Sequence, residues 1–271
     1  MTSEQDIARA EEELDRLSAQ LETVVKADAY LTAVLALGHR ARSLFLGFRH
    51  LLSGPAPVAA MSLLRPMVEI NLLLRFLGRD PDLHVELWMA EGQRQIVAIL
   101  DEYENDVHLL GRWGPLSEEN RLLRESYREQ VQIARDKALA AKVEGVREKG
   151  PVLPSTATMA KTSDDPGARE AYTLAYRRIG SDVHAGALTF ASRGFVERVG
   201  GLVSYSDIRE EEDVHAARTL ATSTFASTLC IVSAVLGLDI HERADEIKQA
   251  FIPEEPPIAE RLAAAEPGPT P

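Results

Sequence analysis

The chain has 271 residues, 45% hydrophobic and 27% charged, with only 6% aromatic. That is enough apolar matter to bury a full core, which excludes a disordered chain, and the wealth of Ala, Leu, Glu and Arg favours helices over sheets. A net charge of −12 excludes a general nucleic-acid coat protein, yet residues 112–149 and 169–198 are each net +2, so a modest basic patch remains open.

The acid excess sits at the ends: residues 1–27 are net −4 and residues 252–271 net −3. Leu14, Leu17, Leu21, Val24 and Val25 recur at helical spacing, predicting an amphipathic first helix capped by Thr2 or Ser3. A second helix is expected from Asp28 to Leu52, broken by Ser53-Gly54-Pro55, and a third from Pro57 to Leu77. Asp80-Pro81 is a cap followed by proline at the first helical position, opening a fourth helix to about Leu110. Ser117 opens a strongly charged fifth helix ending near Glu148. Residues 150–167, rich in Pro, Gly, Ser and Thr, read as a long connector or lid. A sixth helix is expected from Ala168 into the 190s, a seventh over Glu210–Leu236 ended by Gly237, and a short last one from Asp239 to Phe251. Almost no strand is expected, because no stretch sustains period-2 alternation.

The expected architecture is therefore all-α: a mostly antiparallel bundle of about seven or eight helices with a single core. It forms one domain over 1–251, followed by a disordered Pro/Ala-rich tail over 252–271. Thr219–Leu238 carries no charge and is long enough to span a bilayer, but its seven Ser and Thr and the lack of a flanking basic cluster predict a buried core helix instead. The charged N-terminus, without an apolar h-region, predicts no secretory signal, so the protein is expected in the cytoplasm. The single Cys230 excludes an internal disulfide and sits in the apolar run Leu229-Cys-Ile-Val, where a buried inert thiol is expected.

The densest chemistry is in Tyr172-Thr-Leu-Ala-Tyr176-Arg177-Arg178-Ile-Gly-Ser181-Asp-Val-His184. On a helix, Arg177, Ser181 and His184 share one face, with Tyr176 at its edge, while Arg178 points about 120° away from His184. His supplies a general acid or base near neutral pH, and Arg supplies forked donors for a phosphate. The bland alternative is a satisfied core histidine bonded to Tyr176 or Glu69. A second polar set, Arg65 and Glu69, lies at i,i+4 on the largely apolar helix Leu63–Leu77. It reads either as an internal ion pair fixing helix register or as a pair that orients His184. Both sets need partners, so Arg65, Glu69, Tyr176 and His184 are expected to converge in space.

The Arg65-x3-Glu69 helix, followed by Tyr172-x3-Tyr176-x4-Ser181-x2-His184, resembles a family of uncharacterised bacterial helical proteins classed as a domain of unknown function. The resemblance covers roughly residues 30–235 and implies a fold rather than an activity. Arg177-x6-His184 and Arg178-x5-His184 more loosely resemble the HEPN superfamily, helical bundles that include metal-independent ribonucleases of stress and phage-defence systems. The polar residue that usually follows the motif arginine is absent: Arg178 follows Arg177 and Ile179 follows Arg178. That resemblance implies an endoribonuclease with Arg177 and His184 as its catalytic pair; on the chemistry of the segment Ser181 and Tyr176 would join them in holding the phosphate, with Arg65, Glu69, Tyr172 and Arg178 in supporting places. It would bind RNA and form a homodimer, with no metal, cofactor, nucleotide or membrane. The rival reading is a non-catalytic interaction or scaffold module in which Arg65–Glu69 and Tyr176–His184 are buried structural networks.

Other sets promise less. Glu212-x2-His215 has the spacing of a di-iron carboxylate motif, but no second Glu-x2-His exists in the chain. His39, His50, His84, His108 and His241 are isolated and read as surface or boundary residues. Arg40, Arg42 and Arg49 read as a solvated face or a phosphate-facing patch. No Walker loop, dinucleotide fingerprint, nucleophile elbow or His-Glu-x2-His is present.

Overall fold

A computed structural model of the protein describes residues 3–23, 28–54, 57–173, 195–199, 202–205 and 210–251. These form ten α-helices: α1 (Glu4–Ser18), α2 (Ala29–Leu52), α3 (Met61–Arg79), α4 (Pro81–Asn105), α5 (Val107–Trp113), α6 (Glu118–Ala140), α7 (Thr156–Thr162), α8 (Pro166–Ala171), α9 (Glu210–Leu236) and α10 (His241–Ala250). Short 3-10 turns, Ala19–Thr23 and Pro57–Ala60, follow α1 and precede α3. The fold is all-α, with one small hairpin added: β1 (Phe195–Val199) pairs antiparallel with β2 (Leu202–Tyr205), Val199 opposite Leu202. The sequence between them is Gly200-Gly201, a dipeptide suited to a two-residue hairpin connection.

Local caps set most boundaries. Ser3 and Asp6 form a capping box at α1, and Asp28, Asp80 and Ser117 each accept a backbone N–H at the start of α2, α4 and α6. Gly237 follows α9 with φ of +67°, the left-handed conformation that favours glycine after a helix. Four boundaries differ from expectation. The fourth helix stops at Asn105 because the Asp106 side chain accepts from the N–H groups of His108 and Leu109 and starts α5. The fifth ends at Ala140 rather than near Glu148: Lys142 has a φ of +55°, and Gly145 follows at +90°. Ser155 caps α7 and Asp165-Pro166 opens α8, so helices occupy much of the segment expected to be a connector. The last helix is preceded by Ile240, with no side-chain cap, rather than capped by Asp239. The sixth helix expected from Ala168 is described only to Thr173, and the tail over 252–271 lies outside the described residues.

The core centres on α2, α3 and α9, where Phe45 and Phe225 stack with ring centroids 4.4 Å apart. Gly38 lets α2 approach α9 closely: a Cβ there would sit 3.2 Å from a Val232 methyl. Among the described residues one helical stretch, Val214–Leu236 in α9, is long and apolar enough to cross a membrane by length and composition. It is mostly buried against α1, α2, α3 and α10, as a core helix is. Cys230 lies in it, buried, and desolvation pushes its thiol pKa up to about 11.

The acids of α1 are taken up by arginines of its neighbours. Glu11, almost fully buried, accepts two 2.7 Å hydrogen bonds from the Arg218 guanidinium of α9, and the Arg49 guanidinium of α2 lies 3.7 Å away. Arg42 pairs with Asp15 and Glu22, Arg243 of α10 with Glu13, and His215 with Glu4. Arg42 and Arg49 are therefore neither a solvated face nor a phosphate patch; they clamp α1 to α2. His215, the histidine of the Glu-x2-His spacing, donates to Glu4.

Candidate functional site

The third helix carries a polar stripe. At about 100° per residue, Asn71, Arg75 and Arg79 fall within about 80° of each other on α3, the side on which α7, α8 and α9 find hydrogen-bond partners, while Arg65 and Glu69 lie further round the helix, Glu69 about 160° from Asn71. Arg75 is the hub. Its Nε donates to Asn71 Oδ1 at 3.0 Å, and its Nη2 donates to Ser227 Oγ at 2.8 Å and pairs with Asp165 Oδ2 at 2.6 Å. Asn71 Nδ2 donates in turn to Ser227 Oγ (3.2 Å) and Thr228 Oγ1 (3.1 Å). Burial lowers the Arg75 pKa, opposed by the Asp165 charge, yet a guanidinium stays protonated at any ordinary pH. One half-buried cation thus ties α3 to α9 and to the start of α8.

Arg79 extends the stripe, donating to Thr162 Oγ1 at 3.0 Å and to the Thr162 carbonyl. Arg169 donates both Nε and Nη2 to the Ser163 carbonyl, closing the turn between α7 and α8. Residues 152–163 are packed rather than loose: Val152, Met159 and Ala160 are buried, and the Val152 N–H donates to Glu91 of α4 at 3.0 Å. Burial raises the Glu91 pKa, but Arg94 and the Val152 N–H outweigh it and hold the carboxyl below the ordinary glutamate value.

A cleft of about 350 Å³ opens beside Arg79, lined by Phe76, Asp80, His84, Val143, Glu144 and Thr162 among others. His84 is buried here, not at the surface or boundary, because its ring stacks on Phe76 at 3.8 Å and its Nδ1 lies 2.6 Å from the Phe76 carbonyl. A carbonyl only accepts, so the proton is on Nδ1.

Arg65 and Glu69 form the expected i,i+4 pair at 3.1 Å, with side chains 32% and 38% exposed. They are therefore not a sealed internal pair. Tyr172 lies half-buried at the end of α8, where Tyr172 and Thr173 continue the chain in π geometry. Tyr176, Arg177, Arg178, Ser181 and His184 lie outside the described residues, and so does their expected convergence with Arg65 and Glu69. Among the described residues, no group of three or more His, Cys, Asp and Glu could hold a metal ion. The Asn71–Arg75–Ser227–Asp165 network was not singled out in the sequence. Its signal is Asn71-x3-Arg75 on one apolar helix and Ser227-Thr228 in another, since both helices need partners for polar groups they bury.

No curated protein and no solved structure matches the chain. A family model, described as a family of unknown function (DUF5677), matches residues 31–200, which include most of α2, all of α3 to α8 and the whole Tyr172–His184 segment. The chain belongs to DUF5677, a family of unknown function.

Proposed function

We propose that the protein is a metal-independent endoribonuclease of HEPN-like type, working in the bacterial cytoplasm in stress or phage defence. His184 and Arg177 carry the chemistry, and Arg65 and Glu69 form the facing wall. The observation that carries the reading is the Arg65–Glu69 pair, about one-third exposed, on α3, the helix to which the segment leading into Tyr172–His184 is tied by Arg75 and Asp165. A charge pair left accessible on a helix whose other polar residues spend their donors inside the fold suits contact with a polar ligand better than core packing.

In the reaction, His184 takes the proton of a ribose 2′-hydroxyl as its oxygen attacks phosphorus. The P–O5′ bond breaks, and the departing oxygen takes a proton from the His184 imidazolium of a second subunit. The products are a 2′,3′-cyclic phosphate and a 5′-hydroxyl. Arg177 holds the extra negative charge of the phosphorane with its forked donors, and Ser181 and Tyr176 position the phosphate. The test is cleavage of several RNAs by purified protein in EDTA, compared with His184→Ala. Wild-type cleavage lost in the variant supports the reading. Equal activity in both, or none in either, overturns it.

The non-catalytic reading is favoured by a different observation: Arg75 and Arg79 spend their donors on Asn71, Ser227, Asp165 and Thr162 of the same chain. On that reading the stripe is a structural seam and the protein an interaction module, and the same assay separates the two.

A further inference from the structure

We propose that the α4–α6 helical pair is a self-association surface on which a second copy of this chain packs antiparallel, α6 against α6. This does not rest on the ribonuclease reading: a chain that dimerises here and never cuts RNA leaves the surface standing.

Two sides of the α4–α6 pair differ in chemistry. On one, Arg124 and Arg128 of α6 bind Asp101 and Glu104 of α4, a seam of opposite charges. On the other, a Gln93–Gln130 hydrogen bond bridges the helices, flanked by apolar side chains that reach solvent. Met89 is 54% exposed, Ile96 41%, Leu123 38% and Ile133 46%. Helical spacing puts Met89, Gln93, Ile96 and Leu100 in one row and Leu123, Ser126, Gln130 and Ile133 in the other. The middle of each row, Met89 to Leu100 and Leu123 to Ile133, contains no charge.

The occupant is argued from the order of residues along α6. The row reads Glu119, Leu123, Ser126, Gln130, Ile133, Lys137, with steps of four, three, four, three and four. That is the period of a helix–helix seam. Read backwards, it keeps its chemistry except that the end charges change sign. An antiparallel copy therefore sets Leu123 against Ile133, Ser126 against Gln130 and Glu119 against Lys137, each pair occurring twice about a two-fold axis. A parallel copy would set Glu119 on Glu119. Glu119 makes no ion pair among the described residues, while Lys137 bonds Glu86 at 2.8 Å and keeps a half-exposed ammonium. The row is ~27 Å long and two helices are ~20 Å wide, a plan area of ~540 Å² per chain, near the lower end of stable interfaces. A dimer with micromolar Kd is expected.

The experiment is sedimentation velocity of the full chain from about 1 to 100 µM, with helicity and melting of every variant checked by circular dichroism. Wild type is expected to shift from monomer to dimer, and Ile133→Glu to stay monomeric with unchanged helicity. Glu119→Lys and Lys137→Glu should each weaken self-association about tenfold, because each places two like-charge pairs in the seam. An equimolar mixture of these two variants restores both ion pairs and should form heterodimers as readily as wild type dimerises. A wild type monomeric throughout, a dimer indifferent to Ile133→Glu, or a mixture no more associated than its components would each overturn the proposal.

Discussion

Replacing Glu11 by Ala removes a carboxylate whose side chain is 3% exposed and which takes two 2.7 Å hydrogen bonds from Arg218. Breaking a fully buried ion pair by deleting one partner costs about 3–5 kcal/mol, mostly for the charge left stranded. Here the stranded guanidinium groups, Arg218 and Arg49, are 22% and 27% exposed and regain part of their hydration, so a loss of about 2–3 kcal/mol is expected. Glu69→Ala is the control. It also deletes an arginine-paired glutamate, but the Arg65–Glu69 pair is about one-third exposed on each side and spaced i,i+4, so its loss costs about 0.3–0.5 kcal/mol. Urea unfolding with m of ~3 kcal/mol/M turns these into midpoint shifts of ~0.8 M and ~0.15 M. Amide exchange at Ile7 and Leu14, both fully buried, would show whether α1 detaches first. Equal midpoint shifts for the two variants, or exchange at α1 unchanged by Glu11→Ala, would refute the claim that this carboxylate holds α1 in place.

Acid should loosen α1. Glu4, hydrogen-bonded by His215, and Glu13, hydrogen-bonded by Arg243, both titrate below the ordinary value of 4.5, so their stabilisation is complete above that pH and is lost as pH falls through the lower folded values. A melting temperature that stays flat from pH 6 to 3, or falls equally in a Glu4→Gln/Glu13→Gln variant, would contradict this. Limited trypsin should cut after Arg147 or Lys149, exposed between α6 and α7, before Lys161 within α7; first cleavage at Lys161 would show that the segment is as loose as its composition suggests. Cys230, buried and with its thiol pKa pushed up to about 11, should react with a thiol reagent orders of magnitude more slowly in the native than in the unfolded protein, and prompt native labelling would contradict the packing of α9.

The helices legible in the sequence are those whose limits are set by neighbours in the chain. Asp28 with Leu52 and Gly237 with Leu236 are local caps and stops, and the structure puts α2 and α9 at those limits. The breaks at Asp106 and Ser155 are also local, but Asp106 sits inside a run of helix-forming residues, and Ser155 sits among prolines that suggest a loop. What sequence spacing cannot carry is the choice of partner. Arg42 and Arg49 look like a basic stripe on α2 until α1 is laid across them, and nothing within seven residues of either arginine announces Asp15 or Glu11. His84 reads as a boundary residue for the same reason: the Phe76 ring and carbonyl that bury it belong to another helix.

The third helix shows how far this reaches for function. Arg65 and Glu69 attract attention because their i,i+4 spacing is visible in the chain, yet Arg75 has the deeper connections. It joins α3 to Ser227, one of seven Ser and Thr in the charge-free stretch Thr219–Leu238 whose hydroxyls give α9 hydrogen bonds to offer, and to Asp165, seven residues before Tyr172. Arg75→Met keeps most of the side-chain volume and removes the hub. Asn71 Oδ1 loses its donor and Asp165, 23% exposed, loses its counter-ion, at a cost of about 1.5–3 kcal/mol. The loss should be local to the α3–α8 contact, so amide exchange should quicken in Ala168–Thr173 while the buried amides of α2 keep their protection. If His184 and Arg177 act on RNA, the variant should also lose activity more steeply than stability, because the helix that leads into Tyr172–His184 has lost its anchor. Quickened exchange spread evenly over α2, α3 and α9 would mean instead that Arg75 supports the core as a whole and does not position this segment.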